Sequence, residues 1–172
     1  MEQLIRDAQK KNPDAFEQLI QGQMQMMYKI AKSILNSDED AADAIQDTIL
    51  ACWEKLDSLK QERYFKTWLT RILVNKCNDQ IRRRKNCIPM EKIMEKPAEN
   101  HELLNLEWNE TLSHLDKKYR LVLMLYYVEG FKTSEISKIL EIPESTVRTR
   151  LARGREKLTL LCRADEKGRM LS

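Results

Sequence analysis

With 172 residues, 33% of them charged and only 6% aromatic, the chain can fill one large core or two small ones, and those cores must be mostly aliphatic. Four glycines and four prolines are too few for a turn-rich β fold and fit long helices better. A net charge of +3 announces no partner by itself, so the distribution of charge has to be read along the chain.

That distribution is segregated. Residues 38–57 are acidic, whereas Arg82-Arg-Arg-Lys85 and 148–157 are basic. Separate surfaces for separate partners are expected. No apolar run approaches the roughly 18 residues that a membrane span needs, and the N-terminus has no apolar core of a secretory signal. A cytoplasmic protein is expected. Cys52, Cys77, Cys87 and Cys162 form no C-x-x-C pair, and His101 and His114 complete no zinc spacing. They read as reduced thiols, with no metal and no cofactor.

Taken in order, residues 2–22 predict a helix broken near Asn12-Pro13-Asp14. Phe16, Leu19, Ile20, Met27, Ile30, Ala31 and Ile34 carry one helical stripe on to about Leu35. Asn36–Asp40 is a turn, and Ser37 with Asp40 three residues later reads as a helix N-terminal box. The next helix is expected to bury Ala41, Ile45, Ile49, Cys52, Trp53 and Leu56, and to expose Asp43, Gln46, Asp47 and Glu54. After a polar connector, 59–63, a helix is predicted from about Phe65 to Arg84, with Leu69, Ile72, Leu73 and Cys77 on its core side. Trp68, Arg71, Asn75, Asn78 and Arg82 recur on another side at i, i+3, i+7, i+10 and i+14. Tyr64 and Phe65 stand just ahead. Rings for stacking bases beside cations for a backbone are what a single-stranded nucleic-acid platform needs. Rings at helical spacing also fill cores, and the downstream half of the chain decides between these readings.

Residues 87–105, with Pro89 and Pro97 among Glu, Lys and Asn, predict a flexible linker. Helical stretches follow at 106–115 and, after Asp116 as a cap, at 119–128. Thr133 is a plausible N-cap for a short helix carrying Ile136, Ile139 and Leu140. Pro143 ends that pattern and suits the first position of another helix. The result is a helix-turn-helix. On the wheel of its second helix, Val147, Leu151, Gly154 and Leu158 form one narrow stripe that should face the protein. Thr149, Ala152, Arg153 and Glu156 lie opposite. Arg148 and Arg155 flank them on one side, and Thr146, Arg150 and Lys157 on the other. Small residues at the centre let a helix enter a groove, while arginines at the shoulders reach phosphates or guanine. The DNA major groove admits one helix in this way. The last residues, 163–172, read as a polar, frayed tail. The whole is all-α, two small helical domains on a tether.

At this point the sequence resembles a bacterial RNA polymerase sigma factor of the extracytoplasmic-function type, within the sigma-70 family. Asp40-Ala-Ala-Asp-Ala-Ile-Gln-Asp-Thr-Ile-Leu50 is similar to the family's polymerase-binding segment. Phe65-Lys-Thr-Trp-Leu-Thr-Arg-Ile-Leu-Val-Asn-Lys-Cys-Asn-Asp-Gln-Ile-Arg-Arg-Arg84 is similar to its minus-ten segment, and Ser145-Thr-Val-Arg-Thr-Arg-Leu-Ala-Arg-Gly-Arg-Glu-Lys-Leu158 to its minus-thirty-five helix. The three occur in family order. The resemblance implies a region-2-like domain at 1–86 and a region-4-like domain at 106–162. It implies that Asp43, Gln46, Asp47 and Ile49 dock on core RNA polymerase. Trp68 and Asn75 would sit where the duplex parts, Tyr64 and Phe65 beside a flipped base, and Arg71 and Arg82 along the minus-ten DNA. Arg148, Thr149, Ala152 and Arg153 would face the minus-thirty-five element, with Thr146, Arg150 and Arg155 beside them. An anti-sigma partner, often membrane-bound in the family, is also implied, and no catalysis is. There are four departures: Ala44 replaces a bulky leucine, so a weaker docking contact is expected there; Leu115-Asp116 stands where Leu-Pro is common; Ser145 replaces a glycine; and Gly154 replaces an alanine. The readings weighed against this are a self-sufficient helix-turn-helix regulator and, further off, a DNA-processing enzyme, for which no catalytic constellation stands out, since Asp38, Asp40, Asp43 and Asp47 read as an acidic helix face.

Overall fold

The computed structural model describes residues 1–35, 37–87 and 114–169, with side chains through residue 84 in the second stretch and 161 in the third. The linker expected at 87–105 and the helix expected at 106–115 therefore lie almost wholly outside the described residues. Every regular element among those residues is helical. Two compact units divide them, one on residues 1–87 with Lys138–Leu140 and one on 114–137 with 141–169, so that the end of the helix at Thr133–Leu140 is grouped apart from its start.

The first unit opens with α1 (Glu2–Gln9) and α2 (Pro13–Gln21), which pack on each other. Their break falls where Asn12 and Pro13 predict it. The Asn12 side chain accepts from the backbone N–H groups of Asp14 and Ala15 at 3.0 and 3.2 Å, and Pro13 takes the position whose N–H would have no helical partner. A second break was not expected. The stripe from Phe16 to Ile34 is cut at Gly22-Gln23, and α3 (Met24–Ile34) starts anew. Gln23 N–H turns back to Ile20 O at 2.8 Å, a tightened last turn. Leu19, Met27 and Ile30 remain buried on both sides of the cut, which is why apolar spacing does not register it.

Helix α4 (Asp38–Lys55) begins as its sequence predicts: the Ser37 hydroxyl accepts from Asp40 N–H at 3.3 Å, and Asp38, Glu39 and Asp40 put negative charge at the positive end of the helix dipole. Single turns at Leu56–Ser58 and Glu62–Tyr64 lead to α5 (Phe65–Cys87), which runs three residues beyond the expected end. Helices α3, α4 and α5 pack mutually around Met27, Ile30, Cys52, Leu56, Leu69, Leu73 and Cys77, all essentially inaccessible. Each large aliphatic side chain buried this way is worth about 1.5–3 kcal/mol. Ile72, expected in this core, is only half-buried, as are Ile49 and Trp53.

In the second unit, Asp116 precedes α6 (Lys117–Leu123), and the chain continues as a π-helical turn at Met124–Val128. Gly130 follows with φ +72°, a conformation that favours glycine. Helix α7 (Thr133–Leu140) starts one residue differently from expectation. Lys132 is the capping position, and the Glu135 carboxylate accepts its N–H at 2.9 Å. Thr133 is the first helical residue instead, and its hydroxyl donates to the Glu144 carboxylate at 2.6 Å, tying the two helices of the motif together. Between them, Glu141 adopts a left-handed φ of 54°. The Ser137 hydroxyl donates to Ile142 O at 2.6 Å and holds the turn. Pro143 lies just ahead of α8 (Glu144–Arg169), its carbonyl accepting from Thr146 and Val147. This helix continues well past Leu158, through most of the segment expected as a tail. It packs on α6, and Gly154 is the point of close approach: a Cβ there would lie 3.1 Å from Leu123 Cδ1 and 3.2 Å from Cγ.

Candidate nucleic-acid interface

Helix α8 sorts its side chains as the wheel predicts. Val147, Leu151, Gly154 and Leu158 are buried, with Val147 fully so. Arg148, Thr149, Arg153 and Arg155 are exposed, and Thr146, Arg150 and Ala152 are half-buried beside them. Two of the arginines are already engaged within the unit. Arg148 donates to the Glu144 carboxylate at 2.8 Å, and Arg155 to the Tyr127 hydroxyl at 3.4 Å. The Thr133 hydroxyl and then Arg148 hold the Glu144 carboxyl below its ordinary range, so it is anionic at neutral pH. Thr149 donates its hydroxyl to Ser145 O at 2.9 Å.

The face of α5 is less uniform. Arg71, Asn75, Asn78 and Arg82 are exposed in a line, Trp68 is half-buried and Tyr64 is 40% exposed. Phe65 does not share that surface. It is 2% exposed, inside the core, with its ring 6.2 Å from that of Trp68. Its place at the first position of α5 turns it inward, while Tyr64, one residue earlier in the preceding turn, stays out. Arg63 stacks over the Tyr64 ring at 4.8 Å. Among the consecutive arginines, Arg82 pairs with Asp79, and Arg84 reaches Asp40 on α4 at 2.6 Å.

On α4, Asp43 and Gln46 are exposed, and Asp47 and Ile49 are half-buried. Leu50 is 63% exposed, although large and apolar. It lies one or two turns from Asp43, Gln46, Asp47 and Glu54, at the centre of that face. The family resemblance points to Ile49 instead, and the spacing 43, 46, 47, 50, 54 is the sequence signal for Leu50. Ala44 is fully buried, and its carbonyl accepts the Thr48 hydroxyl at 2.6 Å. The leucine-to-alanine departure there is a matter of packing between helices, not of a weakened docking contact.

Cys52 and Cys77 are buried thiols, pushed up to about 12 by desolvation. Among the described residues no group of three or more His, Cys, Asp or Glu side chains could hold a metal ion, and no helix is long and apolar enough to cross a membrane.

Two helical units, one with a ring-and-cation helix face and one with a helix-turn-helix, define a class of protein with two candidate nucleic-acid surfaces. Family comparison agrees. Residues 19–87 match the family described as Sigma-70 region 2, and residues 106–158 match Sigma-70, region 4. The chain is 30% identical to RNA polymerase sigma factor NccH of Alcaligenes xylosoxydans xylosoxydans, over 96% of both chains. It is 29% identical to the ECF RNA polymerase sigma factor SigW of Bacillus subtilis, over 90% of this chain and 92% of that one. The solved structure of CnrH in complex with the cytosolic domain of CnrY is similar with a TM-score of 0.70 at 28% identity, covering 95% of this chain and 97% of CnrH. The chain belongs to the sigma-70 family, among the extracytoplasmic-function sigma factors.

Proposed function

We propose that the chain binds core RNA polymerase through α4, reads the upstream promoter element with α8, and captures the opened strand on α5. The single observation that carries this is the sorting of α8: four inward residues are buried, and the arginines and small residues lie outside, in a chain whose two family segments come in promoter-reading order. Asp43, Gln46 and Asp47 surround Leu50, which serves as the apolar anchor of the polymerase contact, with half-buried Ile49 beside it. Tyr64, Trp68, Arg71, Asn75 and Arg82 meet the minus-ten DNA, and buried Phe65 supports the Trp68 ring from behind. Arg148, Thr149, Ala152 and Arg153 enter the major groove, flanked by Thr146, Arg150 and Arg155. No covalent step is required, so the protein acts as a factor in the cytoplasm rather than as an enzyme. CnrH was solved in complex with the cytosolic domain of CnrY, and the similar sigma factor RpoE of Bartonella quintana with the anti-sigma factor NepR, which supports an analogous protein partner that holds this chain inactive.

Strand capture is energetically sufficient. Unstacking a base costs a few kcal/mol, and ring stacking returns about 1–3 kcal/mol per base, enough to tip a near-balanced opening. The test is transcription by core polymerase plus this chain on a fragment library of the source genome. Specific initiation is expected, and its absence would overturn the proposal. On a promoter so obtained, Trp68→Ala or Asn75→Ala should lower permanganate reactivity of the opened bases more than gel-shift affinity. Arg148→Ala or Arg153→Ala should lose preference for the upstream element.

A further inference from the structure

Beside the outward face of α8 lies an open concavity of about 270 Å³ that no sequence motif marks. Helix α8 contributes Ser145, Thr146, Thr149, Arg150 and Arg153 to its wall, and α6 contributes Lys118 and Tyr119. Three cations and four hydroxyl-bearing residues line it, without one carboxylate. Among the described residues, Lys118, Arg150 and Arg153 form no ion pair, unlike Arg148 on the same helix. The buried Tyr119 ring fixes the position of the lysine. Lys118 Nζ lies 5.0 Å and Lys157 Nζ 5.5 Å from its centroid, so two ammonium groups gather around one ring. The Thr149 hydroxyl is committed to Ser145 O, which leaves Ser145 and Thr146 to supply hydroxyls, and uncompensated positive charge in such a concave wall is complementary to a phosphate oxyanion.

We infer that Lys118, carried by a helix outside the recognition motif, completes with Arg150 a seat for one backbone phosphate of duplex DNA. The inference rests on the reading of α8 as the groove-entering helix. Thr149 and Arg153 belong both to that outward face and to the wall of the concavity, so a strand that borders the groove passes over the seat. The opening is too wide to enclose a small anion on its own, which favours a phosphate held in place by the rest of the duplex. The seat carries no base information: it sets the depth and register of α8, while Arg148 and Arg153 read the sequence.

The test uses the full chain and a fluorescent duplex of about 30 base pairs of random sequence, with anisotropy titrations from about 25 to 200 mM salt. Removing one phosphate contact should make the slope of log affinity against log salt shallower by about 0.9. Lys118→Ala should show that change and a several-fold loss of affinity at low salt. Lys118→Arg should restore most of both. Lys10→Ala, which removes an equal charge from the other unit, should not change the slope. An unaltered slope in Lys118→Ala, or an equal change in Lys10→Ala, overturns the seat. So does a wild-type chain that fails to bind the duplex at the lowest salt. Inorganic phosphate added at constant ionic strength should not displace the duplex; selective displacement that Lys118→Ala abolishes would assign the site to a free anion and overturn the duplex assignment. Initiation with core polymerase is scored separately. A correct slope change in a chain that initiates nothing leaves the seat standing and removes the sigma-factor reading.

Discussion

At Gly154 two effects of similar size oppose each other. Alanine is the better helix former by about 1 kcal/mol. Its Cβ would also stand 3.1–3.2 Å from Cδ1 and Cγ of Leu123, which is 1% exposed and has to shift by a few tenths of an ångström within a packed core. Crowding of a well-packed site costs about 1–3 kcal/mol. Gly154→Ala is therefore expected to lower stability by about 1 kcal/mol in urea unfolding followed by circular dichroism. A gain in midpoint would show that α6 yields easily. The same scale separates two neighbouring rings: Phe65→Ala should cost about 3–5 kcal/mol as a core truncation, whereas Trp68→Ala, half-exposed, should cost much less while losing promoter opening. Leu50→Ala should leave the unfolding midpoint unchanged and still weaken polymerase binding several-fold in a pull-down titration. These cases also mark where residue-level reading stopped. Periodicity identified Val147, Leu151, Gly154 and Leu158 because four positions share one narrow arc. It gave no sign that Phe65 turns in while Tyr64 stays out, since a single residue at a helix start belongs to no period. It left Lys118 unmarked because the partners of Lys118 are some thirty residues away on another helix.

Helix starts were legible when a side chain announces them, and interruptions were not. Asn12-Pro13 and Ser37 cap helices as their chemistry dictates, whereas the cut at Gly22-Gln23 and the π turn at Met124–Val128 are made by backbone bonds that any side chain permits. The Ser37 bond to Asp40 N–H is long, at 3.3 Å, so Ser37→Ala should fall at the low end of cap losses, about 0.5–1 kcal/mol. Amide exchange should accelerate in the first turn of α4 and nowhere in the second unit. The Arg84–Asp40 pair joins the end of α5 to that same turn. Gln80 on α5 also faces the Asp40 carbonyl and Ala44 N–H, so the start of α4 and the end of α5 are braced together. Polymerase docking and strand capture are thus assigned to helices that share a bonded corner.

At the scale of the whole molecule, the expectation of two helical bodies was legible from composition and order, because low aromatic content and scarce glycine leave small aliphatic helical cores as the economical arrangement. The buried cysteines give a property that can be checked without polymerase. Desolvation raises the Cys52 and Cys77 thiols from 9.0 to about 12, so they stay protonated in the folded chain. The sign follows: the folded state keeps protons that the unfolded state releases, so this contribution is complete below pH 9 and declines as pH rises toward 12. At pH 8, iodoacetamide labelling with peptide mapping should leave both positions unmodified until denaturant is added. Rapid native labelling of either would contradict the packing of α4 on α5.

The arginines already engaged by this chain's own acids have a wider consequence. Arg82, Arg84 and Arg148 each rest on a carboxylate before any nucleic acid arrives. A tally of basic residues therefore exaggerates the attraction that arbitrary DNA feels. At these three positions, contact with a random stretch would exchange one ionic partner for another at little net gain, leaving attraction to arbitrary DNA to cations such as Lys118 and Arg150. Internal pairing of this kind would keep the protein from lingering across the chromosome, making it choosy through restraint and not through force.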